Sequence, residues 1–285
     1  MPTMLTALIL ATLTGAAPLQ QTDTIVPVPA GARLDLNLLR AGVTVRVWDR
    51  REVRVVARPG PVEVRATDGT VKVRPEFGRG SSTGMERMTI EVTIPRDMDV
   101  ELEGQMLDAD LREVGGDVSV SSMHGDVRVD GGSGFVRVRT LQGAITCTGA
   151  EGRVDLESNQ GGVTATGIAG EIRAHSLNGR IELRGIRANA VDAYSLNGAI
   201  DFEGAIAPGG EYTFESHAGN VTVAIPAGTG VTIEASTFGG AFESDFPVTL
   251  QKSEGGGRTV DLVLGDGKAL MTLNSFGGTI RLRRP

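Results

Sequence analysis

The chain has 285 residues, of which 40 are glycine and only 4% are aromatic, and its formal net charge is -7 with a pI near 5.1. This acidic balance argues against a nucleic-acid partner, because affinity for a phosphate backbone depends largely on basic patches. The single cysteine, Cys147, excludes a disulfide within the chain. Many glycines with few aromatic residues favour short strands joined by tight turns.

Residues 1–17 have the composition of a secretory signal peptide. Leu5 to Leu13 form an apolar core, and the small residues at positions 15–17 allow cleavage after Ala17. The apolar run is shorter than the roughly 20 residues that span a bilayer. We therefore expect an exported protein, periplasmic or at the cell surface, with no transmembrane segment in the mature chain. The alternative is an unprocessed apolar tail or a misplaced start.

Residues 24–104 contain several alternating apolar runs without a regular period, such as "GVTVRVW", "EVRVVA" and "MTIEVTIP". The turns between them carry Pro-Gly at 59–60 and Asp-Gly at 68–69, which favour antiparallel hairpins. We expect this region to be a hairpin cap for the repeats that follow, with Trp48 covering the open end of their core. A sugar-binding platform is the alternative role for Trp48.

From Gly116 onward the sequence repeats every nine residues. Each unit has apolar residues at its third and fifth places, which indicates a strand with one buried face. Alternate units carry Ser or Thr at the seventh place and the others often carry Gly, so the full period is 18 residues. The regular unit starts are Gly116, Gly125, Gly134, Gly143, Gly152, Gly161, Gly170 and Gly179.

A five-residue strand cannot bury its apolar face alone, whereas stacked coils can. The sequence therefore predicts an all-β, single-domain β-solenoid over residues 105–285, with about 18 residues per coil and a loop insertion at 251–258. The predicted core residues are Val127, Val129, Val136, Val138, Ile145, Cys147, Val154, Leu156, Ile172, Ile181, Leu183, Val191, Ile200 and Phe202. The corner residues expected to seal each layer are Leu141, Ile168, Leu177, Ile186 and Leu196.

Several separated motifs occur in a fixed order along the chain: "VPAGARLDL", "VTVRVWDRREVRVVA", the Ser-x-x-Gly-x-(Ile/Val) coils, "FGGAFESDFPV" and "SFGGTIRLR". Together they resemble the bacterial β-strand-repeat, adhesin-like proteins that share the toast-rack type of β-solenoid, over residues 24–284. The resemblance implies a solenoid fold and an envelope setting. It implies no catalytic residues, because a shared fold does not determine function.

The outward face of one strand set carries two columns of polar side chains. The columns suggest a charge ladder, because charges of alternating sign suit the close spacing of stacked strands. The alternative is a site for an acidic glycan, bound or cleaved. The candidate binding face comprises Arg137, Arg139, Asp155, Glu157, Arg173, His175 and Tyr194, with Asp192 completing the first column.

No catalytic, metal-binding or cofactor-binding residues are predicted. The nine-residue period is shared with calcium-binding β-rolls, but no unit carries the ligand Asp. The three histidines fall at different places in the unit, and no zinc-ligand spacing occurs. Ser176 and Ser195 belong to a column of hydroxyl residues, which suits hydrogen bonds to the backbone at the corners better than nucleophilic catalysis.

We therefore expect a non-enzymatic, exported protein of the envelope or cell surface, acting as an adhesin-like binding or structural module. Its partner would be an envelope or surface protein or a glycan, with no nucleic acid, and the hairpin cap favours a monomer. Two alternatives stay open. One is a glycan-active enzyme that uses the Arg/Asp/Glu/His face, and the other is an envelope-stress regulator that contacts a membrane sensor.

Overall fold

The computed structural model describes residues 22–75, 87–249, 251–252 and 257–285. The predicted signal peptide (1–17) and residues 253–256 of the predicted loop insertion lie outside these ranges. The described residues form 24 strands and no helix, which confirms the all-β solenoid. The strands belong to one sheet wound into two broad faces, which we call face A and face B.

Three long strands turn a corner and contribute to both faces: β2 (Arg33–Trp48), β7 (Asp99–Val114) and β15 (Ile181–Ser195). The other strands of face A are β4 (Val62–Thr67), β5 (Thr70–Pro75), β8 (Val118–His124), β10 (Ser133–Gln142), β12 (Glu151–Ser158), β14 (Ala169–Ser176), β17 (Glu211–Ser216), β19 (Val231–Thr237), β21 (Gln251–Lys252), β22 (Arg258–Leu264) and β23 (Ala269–Ser275). The other strands of face B are β1 (Thr22–Pro27), β3 (Glu52–Arg58), β6 (Met88–Pro95), β9 (Val127–Gly131), β11 (Ile145–Thr148), β13 (Val163–Thr166), β16 (Ile200–Gly204), β18 (Val221–Ala224), β20 (Phe242–Ser244) and β24 (Ile280–Arg283).

The middle of the solenoid has the predicted 18-residue coil. On face A, Val136 lies beside Val154 and Val154 beside Ile172, in parallel strands. The next step, from Ile172 to Val191, takes 19 residues, and the inserted residue produces a register shift after Gly170. Each inward side chain is therefore stacked on its equivalent one coil away, which buries an apolar face that no single strand could bury.

Every predicted core residue is buried between the two faces, which confirms the inside–outside assignment of the middle coils. The prediction for the corners was wrong for the leucines: Leu141 and Leu177 are exposed and Leu196 is half-buried. The two-residue alternation of the strand continues into this corner, so the hydroxyl residue points inward and the following leucine outward. Ile168 and Ile186, at the opposite corner, are buried as predicted.

The Ser corner is closed by hydrogen bonds that repeat from coil to coil. The Ser176 hydroxyl accepts a bond from the Gly179 N–H at 2.8 Å and donates to the Gly161 carbonyl of the neighbouring coil at 3.0 Å. A Cβ at position 179 would lie 2.0 Å from that carbonyl oxygen, so only glycine fits. The same pair of bonds occurs at Ser158, Ser195, Ser216 and Ser275. The hydroxyl column is therefore part of the backbone scaffold, as predicted for Ser176 and Ser195.

The N-terminal region differs from the predicted hairpin cap. Within the described part of this region only β4 and β5 form a hairpin, through Asp68 and Gly69, while β3 lies antiparallel between β1 and β6. Strand β2 instead forms a full coil that lies parallel on β7, with Leu34 beside Val100 and Val43 beside Ala109. Solenoid coils thus begin at Arg33, and the predicted boundary at 104/105 falls inside β7.

The order of coils in space departs from their order in the chain at both ends. Strand β2, the first coil in sequence, lies between β5 and β6 on one side and β7 on the other. The last coil in sequence, β23 and β24, lies between β17 and β18 on one side and β19 and β20 on the other. We call these two the inserted coils. Antiparallel strands β3 and β22 are added outside them.

Candidate functional site

Face A brings the predicted polar residues together. Arg137, Asp155, Arg173 and Asp192 lie in register on consecutive strands, and a second column lies beside them at the next outward position. That second column consists of Arg139, Glu157, His175 and Tyr194. Both columns alternate with buried residues along each strand, so the pleat of the sheet places all of these side chains on the outer surface.

The first two strands that carry the columns, β10 and β12, are joined by ion pairs. Arg137 Nε lies 3.5 Å from Asp155 Oδ2, and Arg139 Nε lies 3.1 Å from Glu157 Oε2. Arg139 also approaches Asp155 at 3.9 Å, so Asp155 is shared between two arginines and its side chain is only 14% exposed. The guanidinium of Arg137 in turn covers the ring of Phe135 at 4.5 Å.

On the next two strands, β14 and β15, two side chains of the columns contact Asp192. Arg173 Nε donates to Asp192 Oδ2 at 3.1 Å, and His175 Nε2 lies 3.4 Å from the same oxygen. The imidazole also meets the Tyr194 ring edge to face, with 5.9 Å between ring centroids. The carboxylates of Asp155, Glu157 and Asp192 thus each face a cationic or imidazole group. This arrangement can bind a charged partner only by exchanging ion pairs that already exist.

A third column beside these residues was missed by the sequence analysis. Phe135, Arg153 and Glu171 lie in register on face A, one outward position before the first predicted column. Arg153 and Glu171 line one side of an open depression of about 240 Å³, below the roughly 300–1,000 Å³ of typical ligand pockets. Its charged lining residues are Arg153, Glu171, Arg173, Asp192 and Glu211. The signal was present at the second place of each nine-residue unit, next to the columns that were chosen.

Trp48 does not cover the end of the core. It lies beside Pro95 of β6, which belongs to a coil stacked further out, so the end-cap prediction for this residue was wrong. The indole is half-buried, its N–H donates to the Glu52 carbonyl at 2.8 Å, and the Arg50 guanidinium lies 5.2 Å from the ring centroid. One ring face is therefore occupied by a cation, which reduces the surface left for stacking on a sugar.

The thiol of Cys147, a potential nucleophile, is buried between the two faces. Burial raises the pKa of the Cys147 thiol to about 12, with a smaller contribution from Asp130, so the thiol stays protonated and unreactive near neutral pH. In the described parts of the chain, no group of three His, Cys, Asp or Glu residues is arranged to hold a metal ion. A helix that is long and apolar enough to cross a membrane is likewise not found among those residues.

Comparison with known proteins gives a family match over most of the chain and several solved structures of similar extent. The family model described as Toastrack DUF4097 matches residues 33–283. A "putative adhesin" of known structure from Parabacteroides distasonis is 11% identical, with 92% of this chain and 97% of that chain covered and a TM-score of 0.46. A "putative adhesin" from Bacteroides fragilis is 14% identical, with 92% and 97% covered and a TM-score of 0.41. None of the curated proteins matches this chain.

Proposed function

This chain belongs to the Toastrack DUF4097 family, and on that premise we propose that it is an exported, non-enzymatic binding module of the bacterial envelope or cell surface. We further propose that face A is its contact surface for a charged surface glycan or protein, and that the protein works as a monomer. The partner binds along the exposed columns of Arg137, Arg139, Arg173 and His175 rather than in a deep cleft.

The pairing of charges between neighbouring strands carries this proposal. Asp155 and Asp192, the two carboxylates of the first predicted column, are already engaged by Arg137, Arg139, Arg173 and His175. General acid–base catalysis requires a carboxyl or imidazole group that is free to exchange a proton with a substrate held against it. Side chains that neutralise each other on an open sheet support reversible, weak binding instead. Such binding is sensitive to salt, since exposed charges are screened over about 8–10 Å.

A panel of acidic polysaccharides, among them pectin, alginate and peptidoglycan fragments, tests both halves of the proposal. We expect retention on the immobilised protein at low salt, loss of retention at high salt, and neither unsaturated products nor new reducing ends. Arg173→Ala should weaken retention, whereas Arg128→Ala, an exposed arginine on face B, should not. Turnover that disappears in Glu157→Gln and His175→Ala would replace the binding module with the glycan-active enzyme.

The proposed location has its own test. Mass spectrometry of periplasmic or secreted protein should find an N-terminus near Pro18, and a cytoplasmic product that begins at Met1 would contradict export. The regulatory alternative makes a different prediction, since genes for a sigma factor or a sensor kinase beside this one would favour envelope-stress signalling over adhesion.

A further inference from the structure

One edge of the solenoid carries an unbroken row of apolar and aromatic side chains. The residue that follows the buried hydroxyl of the Ser corner points outward on every coil, and the hydroxyl residues are in register from Ser176 to Thr237. On five consecutive coils this outward residue is Leu, His or Phe. We call this set the corner ridge; it consists of Leu177, Leu196, His217, Phe276 and Phe238.

The corner ridge is exposed where its side chains are largest. Phe238 is 54% exposed and Phe276 is 53% exposed, although both are apolar. The rings of His217 and Phe276 are stacked at 4.8 Å with 5° between their planes, and those of Phe276 and Phe238 at 5.0 Å with 9°. The rings therefore cover each other's faces and present mainly their edges to solvent. Sugar binding uses ring faces, so a glycan is a poor occupant for this surface.

On the side away from the strands of face A, the border of the corner ridge is uncharged. The next residue on each of these coils is an amide, an alanine or a glycine: Asn178, Asn197, Ala218, Gly277 and Gly239. One cation stands at the tip, where Arg258 donates to the Gly240 carbonyl at 2.8 Å. Among the described residues on this side of the ridge, an acidic or basic partner finds few charges to pair with, whereas an uncharged lipid interior requires none.

The size and shape of the corner ridge distinguish between possible occupants. Its five side chains expose roughly 400 Å², about half of the 800 Å² that each partner contributes to a standard protein interface. The ridge is also one residue wide and follows the corner of the coils, so the same ridge on a second copy of this chain would bring a row of side chains and not a groove. A lipid surface needs no groove, because acyl chains and headgroups close around a narrow apolar insertion.

We propose that the corner ridge docks on the surface of a phospholipid bilayer. The Leu and Phe side chains enter the boundary between headgroups and acyl chains, the amide border remains among the headgroups, and Arg258 meets a lipid phosphate. Since the protein carries a net charge of -7, a zwitterionic surface is favoured over an anionic one. The ridge adjoins the second column of face A but shares no residue with it, and Phe238 and Phe276 lie on other coils, so the two proposals can fail independently.

Flotation of the protein with phosphatidylcholine vesicles tests the proposal. The wild-type chain should float with the vesicles at both low and high salt, and replacing part of the lipid with phosphatidylglycerol should not strengthen binding. The double variant Phe238→Ser/Phe276→Ser should lower the partition coefficient about tenfold or more, because two apolar rings no longer enter the bilayer. Its thermal unfolding should match that of wild type, since both rings are largely exposed.

The matched control replaces two exposed apolar residues that lie off the ridge. Val263→Ser/Leu270→Ser changes side chains on face A that are 63% and 44% exposed, and it should bind vesicles like wild type. Equal loss in this control would overturn the proposal in favour of general hydrophobic adsorption. Absence of wild-type flotation would also overturn it. A dimer in sedimentation experiments that the ridge variant abolishes, without vesicle binding by wild type, would assign the ridge to a second copy instead.

Discussion

The middle coils and the two ends of the solenoid are stabilised in different ways. From β8 to β18, chain order and stacking order agree, each coil buries a Ser or Thr at the corner, and the inward positions are apolar throughout. At the ends, the stacking order of the inserted coils differs from their order in the chain, and antiparallel strands are added outside them. The comparison teaches that a local repeat determines the shape of one coil, while long-range pairing determines where the stack stops.

The largest expected effect concerns the glycine of the Ser corner in the middle coils. In Gly179→Ala the added methyl group would lie 2.0 Å from the Gly161 carbonyl oxygen, so the two coils must separate. We expect a loss of about 4 kcal/mol or more in the free energy of unfolding, measured by denaturant titration. Failure to accumulate as folded protein is the extreme form of this result.

The control change lies in the C-terminal inserted coil, one residue before its own corner glycine, Gly278. At Gly277 a Cβ would meet only the His217 carbonyl oxygen, at 3.7 Å, which is ordinary contact. Gly277→Ala should therefore cost less than about 1 kcal/mol. Similar losses in the two variants would show that corner glycines are needed for the turn itself rather than for the close approach of neighbouring coils.

The second effect is a difference in stability between variants that remove two buried hydroxyl groups of the middle coils. Ser195→Ala leaves the Gly198 N–H and the Gly179 carbonyl without their shared partner, at a cost of about 1–3 kcal/mol. The Thr140 hydroxyl is buried without a hydrogen-bond partner, so Thr140→Val should be neutral or stabilising. Thermal unfolding of the two variants checks this contrast, and a loss in Thr140→Val comparable to that in Ser195→Ala would contradict it.

A third effect is the response of the middle coils to alkali. Because the pKa of Cys147 is raised to about 12, the native state keeps the thiol proton while the unfolded state loses it above about pH 9. The stabilisation is complete below the unfolded pKa and is lost as pH rises, by about 1 kcal/mol between pH 8 and pH 10. Cys147→Val should lack this part of the pH dependence. Identical slopes for wild type and variant would show that the thiol is hydrated.

The smallest expected effect is the loss of two ion pairs near the ends of the solenoid as the pH falls. Arg51 holds the pKa of Asp97 below its ordinary value through hydrogen bonds of 2.7 and 2.8 Å, and Lys268 does the same for Asp266. A lowered carboxyl pKa stabilises the protein above the ordinary value and loses that effect as pH falls through the native pKa. Asp97→Asn should therefore be slightly less stable than wild type at pH 6 and equal to it at pH 2. A stability difference that does not change with pH would contradict this origin.

The sequence predicted the middle coils well because their physics is local. Alternation within nine residues is enough to place Val154, Ile172 and Ile181 inside, since each strand packs against copies of itself. The same reasoning failed at Leu177, where a hydrophobic residue was assumed to be inside although the alternation already placed Ser176 there. The prediction relied on the apolar character of Leu177 and not on the alternation along the strand, and the alternation was correct.

The ends were harder to predict because their pairing is not local. Strand β2 carries no Ser-x-x-Gly corner, so nothing within Arg33–Trp48 marked it as a coil that would lie on β7. Strands β22 and β23 lie on opposite sides of β19, and the connection Gly265–Lys268 passes the first residue of β19 to join them. No short motif encodes this path, which places the last coil out of chain order. On face A, the fixed register predicted the neighbours of Asp155. It could not predict which arginine would reach it, because long side chains select partners by rotamer.

The inserted coil at the C-terminal end has a mechanical consequence. In a stack that ends with its last residues, tension on the chain end peels the outer strand and breaks one rung at a time. Here β23 is hydrogen-bonded to β17 and β19, and β24 to β18 and β20, so tension on the C-terminus must draw the coil out from between two neighbours. Both ladders then resist together. The inserted position thereby turns peeling into shear for any tension applied to the chain beyond β24.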